Sequence, residues 1–413
     1  MDTESAITLE NKYGSFNYAP LPVVLSKGRG VYLWDLEGKR YLDFMSGFSA
    51  VSQGHCHPRI VRAIQKQAAQ LAMVSRGLYS DQMGPFAKFA TELFGFERIL
   101  MMNTGAEAFE TAVKMARKWG YEKKNVYPGS AQIVTCIDNF HGRTTGAVAA
   151  SSHEGHHRDF GPLQSGFNLI PFDDLIALES ALSNPSVVAF IVEPIQGEAG
   201  VNVPSEGYLR KAFELCRSKK VLFIADEIQT GIGRTGKLLA CFHENFRPDV
   251  VLLGKALSGG TFPISAVLAD ENVISVLQPG DHGSTFGGSP FACHVAHESL
   301  KVILEENLTE NAEKMGNLFR ETIQSFHLPL VKLVRGRGLL NAISFDFGGD
   351  LGAGNRMCIA LKEVGLLAKT CRPHIIRFAP PLVINQEQMQ EGLEVIKRVI
   401  HTFRSDSNVF GPL

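Results

Sequence analysis

The stretch Val250-Val251-Leu252-Leu253-Gly254-Lys255-Ala256-Leu257-Ser258-Gly259-Gly260 decides how this chain is read. Four consecutive aliphatic residues predict a strand buried on both faces, and a lysine stands where that strand gives way to a Gly-rich loop. An ammonium group is costly to desolvate. A lysine at the mouth of a buried sheet therefore either snorkels to water or has a depressed pKa and serves as a nucleophile or base. One strand upstream, Val221-Leu222-Phe223-Ile224-Ala225 ends in Asp226-Glu227. A carboxylate and a lysine thus stand at the carboxyl ends of two strands about thirty residues apart, the spacing of one β-α-β unit.

That pair is what pyridoxal phosphate chemistry requires. A lysine holds the aldehyde as a Schiff base, and a carboxylate keeps the ring nitrogen protonated so that the ring acts as an electron sink. A phosphate seat is available at Asn103-Thr104-Gly105-Ala106-Glu107-Ala108, between the predicted strand Arg98–Met102 and the helical run Phe109–Trp119, because a helix start with small residues offers free amide hydrogens and the positive end of the dipole. An ordinary helix start capped by Thr104 fits the same residues. His282-Gly283-Ser284-Thr285-Phe286-Gly287-Gly288 could reach another phosphate oxygen or simply mark a loop. Asn139-Phe140-His141-Gly142-Arg143-Thr144 supplies an aromatic able to stack on a ring and an arginine able to grip a carboxylate.

Around these motifs the chain reads as α/β. Short apolar runs at Arg98–Met102, Ala131–Ile137, Val187–Val192, Val221–Ala225, Val250–Leu253 and Ile264–Leu268 alternate with helical ones, predicting a mainly parallel sheet covered by helices. Residues 1–47 read as an arm and a hairpin, with strands Val31–Asp35 and Arg40–Phe44. Residues 48–290 read as a large cofactor-binding domain that opens with helices Pro58–Met73 and Asp81–Phe94. Residues 291–413 read as a small C-terminal α/β domain, with helices at 292–304, 308–325 and 386–403 around strands near 339–346 and 375–378.

With 413 residues, 45% hydrophobic and 20% charged, the chain is long enough for two or three units around a sizeable core. Its 41 basic and 42 acidic side chains include no block of like charge, which argues against a nucleic-acid or anionic-membrane partner. Seven scattered cysteines without CxxC spacing predict neither a disulfide framework nor a zinc knuckle, and a reducing compartment is expected. The N-terminus is neither a secretory signal nor an Arg-rich transit peptide, so a cytoplasmic location is expected, or the mitochondrial matrix if a presequence has been removed. No apolar run is long enough to span a membrane.

Two patterns invite other readings. Gly231-Ile232-Gly233-Arg234-Thr235-Gly236-Lys237 satisfies both GxGxxG and GxxxxGK. Leu238 stands where a P-loop needs Ser or Thr, and the run Leu238–His243 is too short to carry a dipole, so nucleotide binding is rejected. His55-Cys56-His57 and His153/His156/His157 lack further ligands at zinc spacing, and no metal is expected.

The strings VEPIQGEAG, VLFIADEIQTGIGRTGK, RPDVVLLGKALSGG and HGSTFGG, together with NTGAEA, ARKWGYE, NFHGRT, GRGLLNAI and IIRFAPPLVI, resemble the class III aminotransferases of pyridoxal-phosphate fold type I. Within that family the likeness is greatest to the enzymes that use ornithine, and it runs from about Tyr13 to Phe403. The resemblance implies that Lys255 is the Schiff-base lysine and proton carrier, Asp226 the partner of the pyridinium nitrogen and Gln229 a neighbour of the ring hydroxyl. Phe140 and Ile228 would cover the two ring faces, and Gly105 and Ala106 would give amides to the phosphate. Thr285 would reach the phosphate of a neighbouring subunit, making the active unit at least a homodimer.

For substrates, the resemblance implies that Arg143 holds the α-carboxylate of L-ornithine, with Tyr18 over that end, and that Arg377 holds the α-carboxylate of 2-oxoglutarate. Glu198 would pair with Arg377 when ornithine is bound. Phe48, in Met45-Ser46-Gly47-Phe48-Ser49-Ala50-Val51, departs from the tyrosine usual in ornithine aminotransferases. The implied reaction is δ-amino transfer from L-ornithine to 2-oxoglutarate. Acetylornithine or 4-aminobutyrate transamination, a racemase or decarboxylase on the same fold, and a catalytically silent binding protein are the alternatives.

Overall fold

The computed structural model describes residues 1–403. Its centre is a seven-stranded sheet in the spatial order Arg98–Met102, Ser265–Ala269, Val250–Leu253, Leu222–Asp226, Val187–Val192, Gln132–Cys136 and Phe167–Ile170. The last five are mutually parallel, whereas Ser265–Ala269 runs antiparallel to both neighbours. Every residue of the strands at 187–192, 222–226 and 250–253 is buried, as near-continuous apolar runs demand. Their side chains alternate between two cores. Val251, Leu253, Phe223 and Ala225 join one, while Val250, Leu252, Leu222 and Ile224 join the other. The helix Gly105–Glu122 packs on the second face, and Tyr208–Ser218 and Pro290–Glu305 contribute to the first.

The edge strand Phe167–Ile170 went unrecognised in the sequence because it is four residues long and only one of them is buried. Helix ends also move by a few residues. Pro58–Gln70 and Met83–Phe94 are shorter than the periodicity predicts, and Gly105–Glu122 is longer.

Residues beyond 290 build an antiparallel sheet in the order Val331–Arg337, Leu340–Phe345, Ile375–Phe378, Lys369–Arg372. Helices Leu308–Ser325, Ala353–Glu363 and Gln386–Thr402 accompany it, the second of them unpredicted. Near the N-terminus, Tyr32–Asp35 and Arg40–Asp43 form the hairpin and Leu25–Arg29 extends it. Leu366–Leu367 pairs in parallel with Arg40–Asp43, so the first and last parts of the chain share one sheet. This closure brings the turn after Asp43 beside the strand that carries Arg377.

Candidate active site

Lys255 follows directly on the strand Val250–Leu253 and Gly254, with φ +42° in the left-handed region that a side chain disfavours. Such backbone strain persists only where the surroundings fix it, and it concentrates at functional sites. Burial lowers the Lys255 ammonium to about 8, with Glu198 pulling the other way. Asp226 ends the neighbouring strand. Its Oδ2 lies 2.6 Å from His141 Nδ1, and its Oδ1 accepts from the Ile228 amide at 3.1 Å. His141 is buried and stacked on Phe109 with ring centroids 4.9 Å apart. Burial alone would pull this imidazole down, but the Asp226 carboxylate outweighs it and leaves the pKa raised.

These groups open on a cavity of about 190 Å³ lined by Gly105, Ala106, Phe140, Glu198, Asp226, Ile228, Gln229 and Lys255, among others. Phe140 and Ile228 supply its apolar walls. At one end Thr104 caps the helix Gly105–Glu122, with a reciprocal box between its side chain and Glu107. The cap engages the Glu107 amide, so the amides of Gly105 and Ala106 remain without intrahelical acceptors, and both residues line the cavity. The capping and phosphate-seat readings of this segment are therefore compatible. A larger cavity of about 420 Å³ lies beyond Ile195, but neither Lys255 nor Asp226 lines it.

A second chamber of about 130 Å³ shares Phe140 and Glu198 with the first and adds Arg143, His153, His156 and Arg372. Arg143 lies 5.4 Å from the Phe140 ring centroid. Glu198 Oε1 accepts from Arg377 Nη1 at 2.7 Å and from Gln229 Nε2 at 3.5 Å. Burial would raise the Glu198 carboxyl, but Arg377 and Lys255 together hold it below its usual range. The Arg377 guanidinium sits 5.4 Å over the Phe48 ring. Tyr18 and Thr285 lie outside both chambers and are exposed. Loop 282–287 is fastened by Asn103 Nδ2 donating to Ser284 Oγ at 2.8 Å and by His282 on Thr111 at 2.7 Å.

Two further residues of the site escaped the sequence reading. His141 stood within the quoted NFHGRT string, and Glu193 opens EPIQGEAG. Burial pushes the Glu193 carboxyl up to about 7, and its Oε2 accepts from the Phe140 amide at 2.9 Å. The histidines considered for metal have other partners: His55 pairs with Asp43 at 2.7 Å, His57 with Glu306 at 3.1 Å, and His153 stacks on His156.

A lysine and a carboxylate at adjacent strand ends, an uncapped pair of helix amides and two apolar walls on a mixed sheet define a fold type I aminotransferase site. The chain belongs to the family described as aminotransferase class-III, which it matches over residues 13–400. It is 53% identical over 398 residues to the mitochondrial ornithine aminotransferase of Drosophila melanogaster, covering 96% of this chain and 92% of that protein. The ornithine aminotransferase structure from Toxoplasma gondii ME49 superposes with a TM-score of 0.95 at 48% identity, covering 97% of this chain and 95% of that one. The acetylornithine aminotransferase structure from Elizabethkingia anophelis reaches 0.88 at 50% identity, covering 98% and 100%.

Proposed function

We propose that this protein is a pyridoxal-phosphate-dependent ornithine δ-aminotransferase that uses 2-oxoglutarate as acceptor and gives glutamate 5-semialdehyde, which cyclises to pyrroline-5-carboxylate, and glutamate. The observation that carries this reading is the Glu198–Arg377 pair at 2.7 Å beside Lys255. A site that accepts a distal amine in one half-reaction and a dicarboxylate in the other needs a positive charge that can be masked and exposed.

The residues fit the cofactor. Gln229 Oε1 is buried without a partner, and Asp226 is a buried carboxylate already oriented by His141 and the Ile228 amide. A Cβ at Gly105 would lie 3.1 Å from the Ile228 side chain, so glycine lets that wall close on the helix start without displacement. Gly105 and Ala106 would hold the phosphate, Phe140 and Ile228 the ring faces, Gln229 the ring hydroxyl, and Asp226 the proton on the ring nitrogen. Bound pyridoxal phosphate supplies an electron sink conjugated to the amine-bearing carbon. Lys255 Nζ, lowered by burial to about 8, is suited to take a proton from that carbon and return it. Arg143 orients the amino-acid end of ornithine from the second chamber, and the Phe140 and Ile228 walls exclude water.

The exposed positions of Thr285, Phe286 and Tyr18 support a homodimer in which Thr285 completes the neighbour's phosphate seat and Tyr18 covers a substrate end. A second reading, N-acetylornithine as donor, draws on Phe48 and on the likeness to the Elizabethkingia enzyme.

The test is a spectrophotometric half-reaction with L-ornithine, N-acetylornithine and 4-aminobutyrate added separately, with o-aminobenzaldehyde to detect pyrroline-5-carboxylate. Ornithine should discharge the bound cofactor's absorption band fastest. A slow ornithine reaction beside a fast one with another amine overturns the substrate assignment.

A further inference from the structure

Arg234, in the glycine-rich string that imitates a nucleotide loop, is fully buried, and no carboxylate forms an ion pair with it among the described residues. Nη1 donates to the carbonyls of Leu339 at 3.0 Å and Pro380 at 2.6 Å. Nη2 donates to Ser46 Oγ at 3.2 Å and Ser52 Oγ at 3.0 Å, and Nε has no partner. Burial pushes the guanidinium down to about 9. The charge of Asp43 eases this burial only in part, and a cation enclosed without an ion-pair partner is costly, so its retention calls for a return.

The partners indicate that return. Ser46 opens a turn in which Ser46, Gly47, Phe48 and Ser49 have φ of +42°, +56°, +56° and +74°. Successive L-residues in the left-handed region are strained and persist only when the surroundings over-determine them. Asp43 Oδ1 accepts from the amides of Met45 at 2.8 Å and Ser46 at 2.9 Å, and Ser46 Oγ donates to the Ala379 carbonyl at 2.6 Å. Arg234 then ties the same hydroxyl to the far side of the site. Pro380 lies three residues beyond Arg377, and Leu339 precedes the strand Leu340–Phe345, in which Ala342 pairs with Arg377. The Leu339 amide in turn donates to the Arg234 carbonyl at 3.0 Å.

We propose that Arg234 is a positioning residue for the acceptor half-reaction: it locks the left-handed turn bearing Phe48 against the strand end bearing Arg377, and so fixes the ring over the guanidinium that receives the 2-oxoglutarate carboxylate. This inference rests on the reading of Arg377 given above. The ring and guanidinium come from segments more than three hundred residues apart in sequence. Arg234 bonds to both the turn and the loop that follows the Arg377 strand. Lysine at this position keeps the charge but cannot span two carbonyls and two hydroxyls with a planar fork.

The experiment measures the two half-reactions separately on the holoenzyme, for Arg234→Lys, Ser46→Ala, Arg377→Leu and the double variant Arg234→Lys/Arg377→Leu. In Arg234→Lys the specificity constant for 2-oxoglutarate should fall about tenfold or more, chiefly through KM, while the ornithine half-reaction changes less than about threefold. Ser46→Ala removes the hydroxyl that accepts from Arg234 and donates to the Ala379 carbonyl while leaving the guanidinium in place, and should shift the 2-oxoglutarate KM in the same direction by a smaller factor. In the Arg377→Leu background, Arg234→Lys should cause no further loss. Equal loss in both half-reactions, multiplicative losses in the double variant, or an unchanged 2-oxoglutarate KM in Ser46→Ala overturns the proposal. If Arg377→Leu alone leaves 2-oxoglutarate turnover intact, the reading of Arg377 itself fails, and that outcome is recognisable without any Arg234 variant.

Discussion

Replacing Glu198 by alanine should move the two half-reactions in opposite directions. In the resting protein Glu198 Oε1 accepts from Arg377 Nη1 at 2.7 Å, with the arginine side chain 7% exposed and the carboxylate 33% exposed. A charge-assisted hydrogen bond contributes about 1.5–3 kcal/mol net, and partial solvation of the carboxylate places this one near the lower end. Since about 1.4 kcal/mol is tenfold in an equilibrium constant, 2-oxoglutarate, relieved of displacing the carboxylate, should show a KM about tenfold lower. L-ornithine offers no carboxylate at that end. It must then bind beside an unmasked, nearly buried cation, and its specificity constant should fall by a similar factor. Single-turnover spectrophotometry of each half-reaction, with the ratio of the two specificity constants as readout, provides the test. The reasoning is refuted if both constants fall together, or if 2-oxoglutarate binds more weakly.

Gly197→Ala should raise KM for both substrates and weaken cofactor retention, because the added Cβ would lie 1.5 Å from Gln229 Oε1 and displace that side chain; dialysis followed by absorbance of the retained cofactor measures it. Reconstitution of the apo protein with pyridoxal phosphate should accelerate as pH rises through about 8 and then level off, since burial lowers Lys255 and only its neutral amine attacks the aldehyde; a rate flat from pH 7 to pH 9 would contradict this. Phe48→Tyr adds a hydroxyl to the ring under Arg377, a group worth ~0.5–3 kcal/mol where it finds a partner. The expected outcome is a gain in ornithine preference over 4-aminobutyrate and N-acetylornithine in competition assays, and an unchanged ratio removes Phe48 as a specificity determinant.

The sequence by itself determined the mixed α/β architecture and the placement of its chemistry. All-aliphatic runs such as Val250–Leu253 can be satisfied only by a sheet covered on both faces, and the residues that end such strands, Asp226 and Lys255, are fixed at its carboxyl edge by chain direction alone. Local composition was also enough to suggest a Thr104-capped helix start within residues 103–108, although the helical run was read only from Phe109, because a cap acts within one turn. Periodicity gave only a weak signal for the four-residue edge strand Phe167–Ile170, which buries too little to leave a pattern.

Tertiary structure decided what depends on contacts between distant residues. His141 meets Asp226 across 85 positions, and Arg377 meets Glu198 across 179. Arg234, an unremarkable member of a glycine-rich string, becomes the buried tie between Ser46 and Pro380. The left-handed turn around Phe48 has a local preference in its favour only at Gly47, while Ser46, Phe48 and Ser49 adopt positive φ against theirs. It exists because Asp43, Ala379 and Arg234 converge on it once Leu366–Leu367 has closed the N-terminal hairpin onto the C-terminal part of the chain. Propensity and periodicity act over a few residues, as do the bonds from the Met45 and Ser46 amides to Asp43, whereas the ties of this turn to Ala379 and Arg234 span well over a hundred residues and need the assembled sheets.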